Sequence, residues 1–407
     1  MIKQQQRTVL LVDMNAFYAS VEQVLDPSLQ NKAVIVCGDP SRRHGIVLAA
    51  SYEAKKYGVK TGMALFEAQA LCPHAKFVPP HMNTYLRFSA QIIQILKQFS
   101  PLVEPFSIDE AFIELTGCES LLGDGVKVAH QIKERIRQEI GIGCSIGVAP
   151  NKLLAKMAAD FQKPDGLTVW TEKDIPSHLW PLPVIKLFGV GSRLKKHLNR
   201  MGIRTIGDLA HTDPRRLEKR FGIIGRILHQ SAQGIDPSPV DPNTLEGNQS
   251  IGHQFTLPRD YETEEEIRIV LQELAEEVGS RARQSNYLGR TVTLTIRSAE
   301  WTFLQRSMTL PYPTQIGSTI FQASLSLLRK HWDQKPLRAL GITLSQLYPK
   351  RGVQLDLFGK NEKEYQLARV VDSIRAKHGS TSIRFANSLT AASVFADRAK
   401  KVGGHWA

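Results

Sequence analysis

Ser107-Ile108-Asp109-Glu110-Ala111-Phe112 is the stretch from which the rest of the chain can be read. Two adjacent carboxylates, Asp109 and Glu110, sit between two mainly apolar runs, Pro101 to Phe106 and Ala111 to Leu115. That is the pattern of a β-hairpin with acids at or beside its tip. Far upstream, a second apolar run, Thr8-Val9-Leu10-Leu11-Val12, ends in Asp13. If these strands share a sheet, three carboxylates converge on one edge. Such a cluster is costly without cations, and an all-oxygen donor set suits Mg²⁺.

The order of elements argues for that convergence. Thr8–Asp13 reads as a buried strand and Ala16–Leu25 as a short helix. A compact insert follows at 26–80, with a strand at Ala33–Cys37, a helix start at Ser51 and a close at Pro79-Pro80. Tyr85, Phe88, Ile92, Leu96 and Phe99 then recur at helical spacing, ahead of the Leu102–Leu115 hairpin. Val128, Ile132, Ile136 and Ile140 make a second helix, and Gly143–Ala149 a last strand. Without the insert the order is β-α-β-β-α-β, the ferredoxin-like arrangement. Its right-handed crossover makes the first two strands parallel, which brings Asp13 and the Asp109–Glu110 tip to the same edge.

Beyond a helix at Lys152–Phe161, residues 176–240 are basic, with short helical stretches between glycine turns. Ile235–Asn248, with three prolines among polar residues, reads as a linker. Ser250–Leu347 repeats the β-α-β-β-α-β order, its first helix opened by the capping box Thr263…Glu266, but without an acid cluster at the equivalent edge. A further helix is expected at Glu364–Lys377. The fold class is therefore α+β and multidomain.

The net charge of +13 over 407 residues points to a polyanionic partner, nucleic acid before acidic membrane. By segment the balance is +2 over 1–165, +6 over 166–240, zero over 241–350 and +5 over 351–407. Within the neutral segment the bases gather in Arg281–Arg338 and the acids in Asp260–Glu277, which suggests one face that meets DNA and one that repels it. Cys37, Cys72, Cys118 and Cys144 form no CxxC pair and read as small apolar fillers in a reducing compartment. No run is long enough to span a bilayer and the N-terminus has no signal-peptide pattern, so a cytoplasmic, nucleoid-associated protein is expected.

The chain resembles the Y-family (translesion) DNA polymerases, especially their bacterial members. The resemblance rests on Val12-Asp13-Met14-Asn15-Ala16-Phe17-Tyr18-Ala19-Ser20-Val21-Glu22, Ser51-Tyr52-Glu53-Ala54-Lys55 and Ser107-Ile108-Asp109-Glu110-Ala111. Asn151-Lys152-Leu153-Leu154-Ala155-Lys156, Gln162-Lys163-Pro164-Asp165-Gly166 and Phe188-Gly189-Val190-Gly191 continue it in order. It implies a palm at 1–25 and 81–165, fingers at 26–80 and a helix-hairpin-helix thumb at 166–240. A linker at 241–248, a little finger at 249–348 and a clamp-binding motif with a C-terminal extension at 349–407 complete it.

The resemblance also implies roles. Asp13, Asp109 and Glu110, with the backbone carbonyl of Met14, would hold two Mg²⁺ ions. Tyr18 would be the steric gate against ribonucleotides, with Phe17 beside it in the core. Tyr52, Lys55 and Lys163 would bind the triphosphate, although the family often has arginine where this chain has Lys55, and lysine lacks the bidentate fork. Gly189, Gly191, Arg193, Lys195 and Lys196 would contact DNA phosphates, and Gln354, Leu357 and Phe358 would engage a sliding clamp. The implied activity is template-directed, low-fidelity synthesis from dNTPs on primer-template DNA, by a monomer without proofreading or a membrane partner. Two alternatives share these features: a non-catalytic adaptor for clamp and DNA, and a nucleotidyl cyclase built on a similar palm.

Overall fold

The computed structural model describes residues 7–38, 45–349, 360–402 and 405–406. The chain divides into two compact units, residues 1–37 with 46–246, and residues 38–45 with 247–407.

The first unit runs β1 (Val9–Met14), α1 (Phe17–Leu25), β2 (Val34–Cys37), β3 (Val47–Ala50), α2 (Tyr52–Lys55), α3 (Leu65–Leu71) and β4 (Lys76–Val78). It continues through α4 (Met82–Leu96), β5 (Val103–Pro105), β6 (Glu110–Glu114), α5 (Glu119–Leu122), α6 (Gly125–Ile140), β7 (Cys144–Ala149), α7 (Lys152–Phe161) and β8 (Leu167–Val169). Five of these strands form a sheet in the order β5-β6-β1-β7-β8. β1 pairs antiparallel with both β6 and β7, which is the ferredoxin-like order expected from the sequence. β8 adds a fifth strand, parallel to β7, that the sequence reading did not include. β2, β3 and β4 form a separate small sheet within the insert.

β1 reads as an unbroken apolar run because both of its faces are covered. Leu10 turns toward Gly125 of α6, whereas Val9 and Leu11 join a core with Leu154, Ala155 and Ala158 of α7. α7 can lie this close because Gly147 of β7 has no side chain. A Cβ there would stand 2.0 Å from the Ala155 carbonyl oxygen. Asn151 caps α7 by accepting from Leu154 N at 2.9 Å. The same core extends to α8 (Ser192–Arg200), α9 (Ile206–Ala210), α10 (Pro214–Phe221) and α11 (Ile223–Ala232) through Leu198, Leu209, Leu217 and Leu228.

The second unit runs β9 (Ser250–Tyr261), α12 (Glu264–Gln284), β10 (Tyr287–Ser298), β11 (Phe303–Thr314), α13 (Gly317–His331) and β12 (Leu337–Pro349). The element order repeats that of the first unit, but the pairing does not. Its sheet is ordered β11-β10-β12-β9, with the first strand at an edge rather than at the centre. Of the nine bases in Arg281–Arg338, Arg281, Arg283, Arg329 and Arg338 pair with Glu277, Glu276, Glu264 and Asp260, whereas Arg290, Arg297 and Arg306 of β10 and β11 form no ion pair among the described residues.

The expected tail helix is α14 (Lys360–His378), and the chain continues through α15 (Phe395–Ala399). This segment is folded onto the unit: Ala392 and Val394 enter its core. Ser393 Oγ donates to Glu273 Oε1 at 2.6 Å and Tyr261 Oη to the Ala392 carbonyl at 2.9 Å. Gln354, Leu357 and Phe358 lie outside the described residues. Cys37, Cys72 and Cys144 are buried as expected, while Cys118 is partly exposed, and none of the four is in a disulfide among the described residues.

Candidate active site

The β-ladder sets Asp13 of β1 directly opposite Glu110 of β6. By the two-residue period both side chains lie on the face that also carries Val9, Leu11 and Phe112, the face packed on α7. Like charges directly opposite one another on a sheet repel. Two lysines offset this. Lys156, on α7, donates to Glu110 Oε1 at 2.6 Å, and Lys163, just past the helix, donates to Asp13 Oδ2 at 2.7 Å. Asp13 is only 7% exposed. Burial, then the hydrogen bond and charge of Glu110, raise its pKa to about 7 against the opposing pull of Lys163. Burial alone would lower the Lys163 pKa, but Asp13 and Asp160 outweigh it and hold the ammonium charged.

Asp109 occupies the turn before β6. Its carbonyl accepts from Met14 N at 2.9 Å and its Oδ1 from the Ser107 hydroxyl at 2.6 Å. The hairpin tip is thereby tied to the end of β1. The loop that presents Lys163 is pinned as well: Lys133 and Arg137 of α6 donate to the Asp165 carboxylate at 2.8 and 2.6 Å. Burial opposes ionisation of Asp165, but these two cations outweigh it and hold its pKa below the usual range.

Asp13, Met14, Tyr18, Tyr52, Lys55, Asp109 and Lys163 line one cleft of about 340 Å³. Tyr18 is half-buried and stacks on Tyr85, with ring centroids 4.3 Å apart and planes 12° from parallel. Phe17 beside it is fully packed in the core. Tyr85 is itself fixed, donating its hydroxyl to the buried Glu22. Burial, and then Asp109, raise the Tyr18 pKa. Tyr52 donates to Asn15 Oδ1 at 3.5 Å, and the same oxygen accepts from Ser145 Oγ at 2.9 Å. The Lys55 ammonium lies over the Tyr52 ring, 4.4 Å from its centroid. Burial, then the charge of Lys163, lower the Lys55 pKa. The cleft therefore holds two cations that repel each other, which an anionic ligand would relieve.

Three features of the cleft were not legible as site residues. Ala16 takes φ 48°, ψ 47°, a left-handed conformation, as the N-cap of α1, and this helix start, without a side-chain cap, lines the cleft with Phe17 and Tyr18. Such an N-terminus favours phosphate. Asn15 and Lys156 sit within quoted motifs, but only folding shows that they orient Tyr52 and neutralise Glu110. Thr61, from the insert, closes the far wall.

Away from the cleft, Gly189 turns the chain into α8 at φ +89°, and a Cβ on Gly189 or Gly191 would meet nothing within 4 Å. The backbone is thus open on that side. Arg193, Lys195 and Lys196 lie on α8 and form no ion pair among the described residues. Phe188, before the turn, is 48% exposed and meets Phe106 edge-on at 5.8 Å. Lys156 lies between these rings, 5.3 and 5.4 Å from their centroids.

Among the described residues no three His, Cys, Asp or Glu side chains form a ready-made metal cage. Mg²⁺ does not require one, since it takes one or two carboxylates and completes its shell with water and substrate phosphates. Asp13 and Glu110 offer that oxygen set, and the two ammonium groups already on them are stand-in cations. The residues fit the ion.

Comparison with known proteins agrees with this geometry. The profile of the impB/mucB/samB family matches residues 12–160, and that of its C-terminal domain residues 248–357. A profile described as the DNA polymerase-iota thumb domain matches residues 185–236. DNA polymerase IV of Pelotomaculum thermopropionicum is 53% identical, over 96% of this chain and 97% of its own. DNA polymerase IV 2 of Bacillus subtilis is 45% identical, over 98% of this chain and 99% of its own. A solved Y-family DNA polymerase chimera aligns with TM-score 0.74 and 29% identity, over 84% of this chain and 99% of that one.

Proposed function

Since the chain belongs to the impB/mucB/samB family and is a DNA-directed DNA polymerase of the Y family acting in translesion synthesis, we propose how its own residues carry out the reaction. Asp13, Asp109 and Glu110, with the Met14 carbonyl, would hold two Mg²⁺ ions. When bound, the ions supply activation of the primer 3′-hydroxyl and neutralise charge developing on the transferred phosphate. The observation that carries this reading is the in-register pair Asp13 and Glu110, each with a lysine on it, at the edge of the cleft.

The remaining steps belong to the chain. Lys163, Lys55, Tyr52 and the α1 N-terminus bind the triphosphate. Lys163, bonded to Asp13 and lining the cleft, is within reach of the phosphate it would bind. Tyr18, braced on Tyr85, closes the space under the sugar and rejects a 2′-hydroxyl. Gly189, Gly191, Arg193, Lys195 and Lys196 hold the DNA backbone without reading its sequence. We assign the palm to 1–25 and 81–165, the small fingers to 26–80, the thumb to 166–240 and the little finger to 249–348. The small fingers give a loose grip on the nascent pair, and the protein works at low fidelity without proofreading. Gln354, Leu357 and Phe358 recruit it to the sliding clamp, as a monomer at the nucleoid. Primer extension across damaged templates tests the reading, with Asp109→Ala beside the wild type. The variant is expected to lose synthesis and retain DNA binding; substantial extension by it removes Asp109 from the metal set.

A further inference from the structure

The second unit contains a cavity of about 340 Å³ between α12 and the folded C-terminal segment, remote in sequence from the polymerase cleft. Two groups at its wall are buried with hydrogen-bonding capacity unmet. Ser388 Oγ has no partner, and Arg398, whose side chain is 4% exposed, leaves Nε and Nη1 without one. Only Nη2 of Arg398 is engaged, by Glu277, while Nη1 stands 3.9 Å from a Glu273 oxygen. A buried guanidinium with most of its donors open is costly, and such groups are rarely left so without a ligand or ordered water.

The acids around the cavity do not answer this need, because each is already committed. Glu273 accepts from Ser393 and from Val394 N, Glu276 is bound to Arg283, and Asp372 accepts from Arg283 and Ser280. Glu277 serves Arg281, His253 and Arg398 together. Burial pushes the Arg398 pKa down to about 10, with only Glu273 opposing. At the mouth, Arg384 is exposed and forms no ion pair among the described residues. Arg384, Ser388 and Arg398 thus bring guanidinium groups and a hydroxyl to the lining of a space larger than a single water needs.

We propose that this cavity binds a small phosphate-type oxyanion through Arg398, Ser388 and Arg384. Guanidinium groups match the several oxygens of a phosphate, and convergent donors suit a tetrahedral anion. Its negative charge would also tie the C-terminal segment to α12, since Arg384, Ser388 and Arg398 come from that segment and its walls from both. The same chemistry is available from a free anion such as pyrophosphate or from a phosphodiester of DNA. Enclosure of Arg398 favours the free anion.

Calorimetric titration of the full chain with pyrophosphate in EDTA tests this, using wild type, Arg384→Ala, Ser388→Ala and, as a control on the polymerase cleft, Lys163→Ala. Saturable binding is expected, with a cavity-bound fraction that persists in Lys163→Ala and is weakened at least about tenfold in each cavity variant, the loss of one charge-assisted hydrogen bond. Arg384 is exposed and Ser388 small, so both variants should fold, and their unliganded melting temperatures verify it. A blunt duplex that displaces pyrophosphate from wild type identifies the anion as backbone phosphate, and one that does not identifies it as free. The proposal is overturned by absence of binding at millimolar pyrophosphate, by equal affinity in the cavity variants, or by loss confined to Lys163→Ala.

Discussion

Lys156→Met separates the electrostatic account of the palm from a purely structural one. The ammonium sits 2.6 Å from Glu110 Oε1, and the two side chains are 14% and 15% exposed. Removing one partner of a buried pair costs about 3–5 kcal/mol, because the other charge is left uncompensated. The edge position of Glu110 argues for the lower end, about 3 kcal/mol, and methionine preserves most of the apolar stem between Phe106 and Phe188. The cost should also depend on the cation present. In EDTA, Glu110 faces Asp13 with Lys163 as the remaining neutralising group. With millimolar Mg²⁺ an ion on the same carboxylates takes over the missing charge, and much of the loss should be recovered. Thermal unfolding of wild type and variant in EDTA and in Mg²⁺ provides the assay. A loss of about 3 kcal/mol corresponds to roughly 6–12 °C for a unit of this size. An equal deficit in the two media would refute the idea that lysine and divalent cation serve the same carboxylates.

Three further outcomes follow from the geometry. Tyr18→Ala should lower discrimination against ribonucleotides by on the order of 100-fold in single-nucleotide incorporation, since the ring held on Tyr85 is what narrows the cleft; unchanged selectivity would remove Tyr18 from that role. His253 hydrogen-bonds Glu277, but Glu277 is shared with two arginines, and burial, with Arg398, Arg281 and Lys401 nearby, holds the imidazole pKa down to about 3. An unfolded chain takes up this proton near the ordinary histidine value while the folded one does not. The stabilisation is therefore complete above about pH 6.5 and is lost as pH falls from there toward 3, and His253→Gln should flatten that slope in pH-dependent unfolding. Replacing Lys195 and Lys196 by alanine should weaken binding to all DNA sequences alike and reduce the slope of log K against log salt by about 0.9 for each phosphate contact removed; an unaltered slope would take α8 out of the DNA contact.

The meeting of Asp13 and Glu110 at one sheet edge was legible because two signals agree. Apolar runs ending in acids identify the strands, and the handedness of the crossover puts their ends together. The ladder observed, Asp13 opposite Glu110, is what that connectivity requires. The lysines were harder. Lys156 and Lys163 are 46 and 150 residues from their partners, and no local pattern distinguishes them from solvated bases on a helix. The element order of the second module was legible, but its strand pairing was not, because β-α-β-β-α-β fixes the sequence of elements and not which strand takes the centre. The Arg329–Glu264 pair was equally silent in the sequence, since it spans 65 residues and is set by the packing of α13 on α12 rather than by composition.

α7 gathers these observations. Lys152, Lys156 and Lys163 each bind a carboxylate of the palm, on Glu104, Glu110 and Asp13. The three pairs are chemically alike and differ in what surrounds the acid. Glu104 is 5% exposed and accepts from Lys152 on both oxygens and from Asp241 N at 2.8 Å, so its capacity is filled from within the protein. Glu110 and Asp13 share an edge, repel one another, and have one lysine each. The first pair has nothing left to offer a ligand, whereas the other two are a negative site held ready by replaceable cations. What brings these lysines within reach is the absence of a side chain at Gly147, which lets α7 settle on β7 closely enough that a Cβ would strike the Ala155 carbonyl. A methyl group there would lift the helix that carries Lys156 and leads into Lys163, so the glycine sets the position of both lysines without touching the cleft.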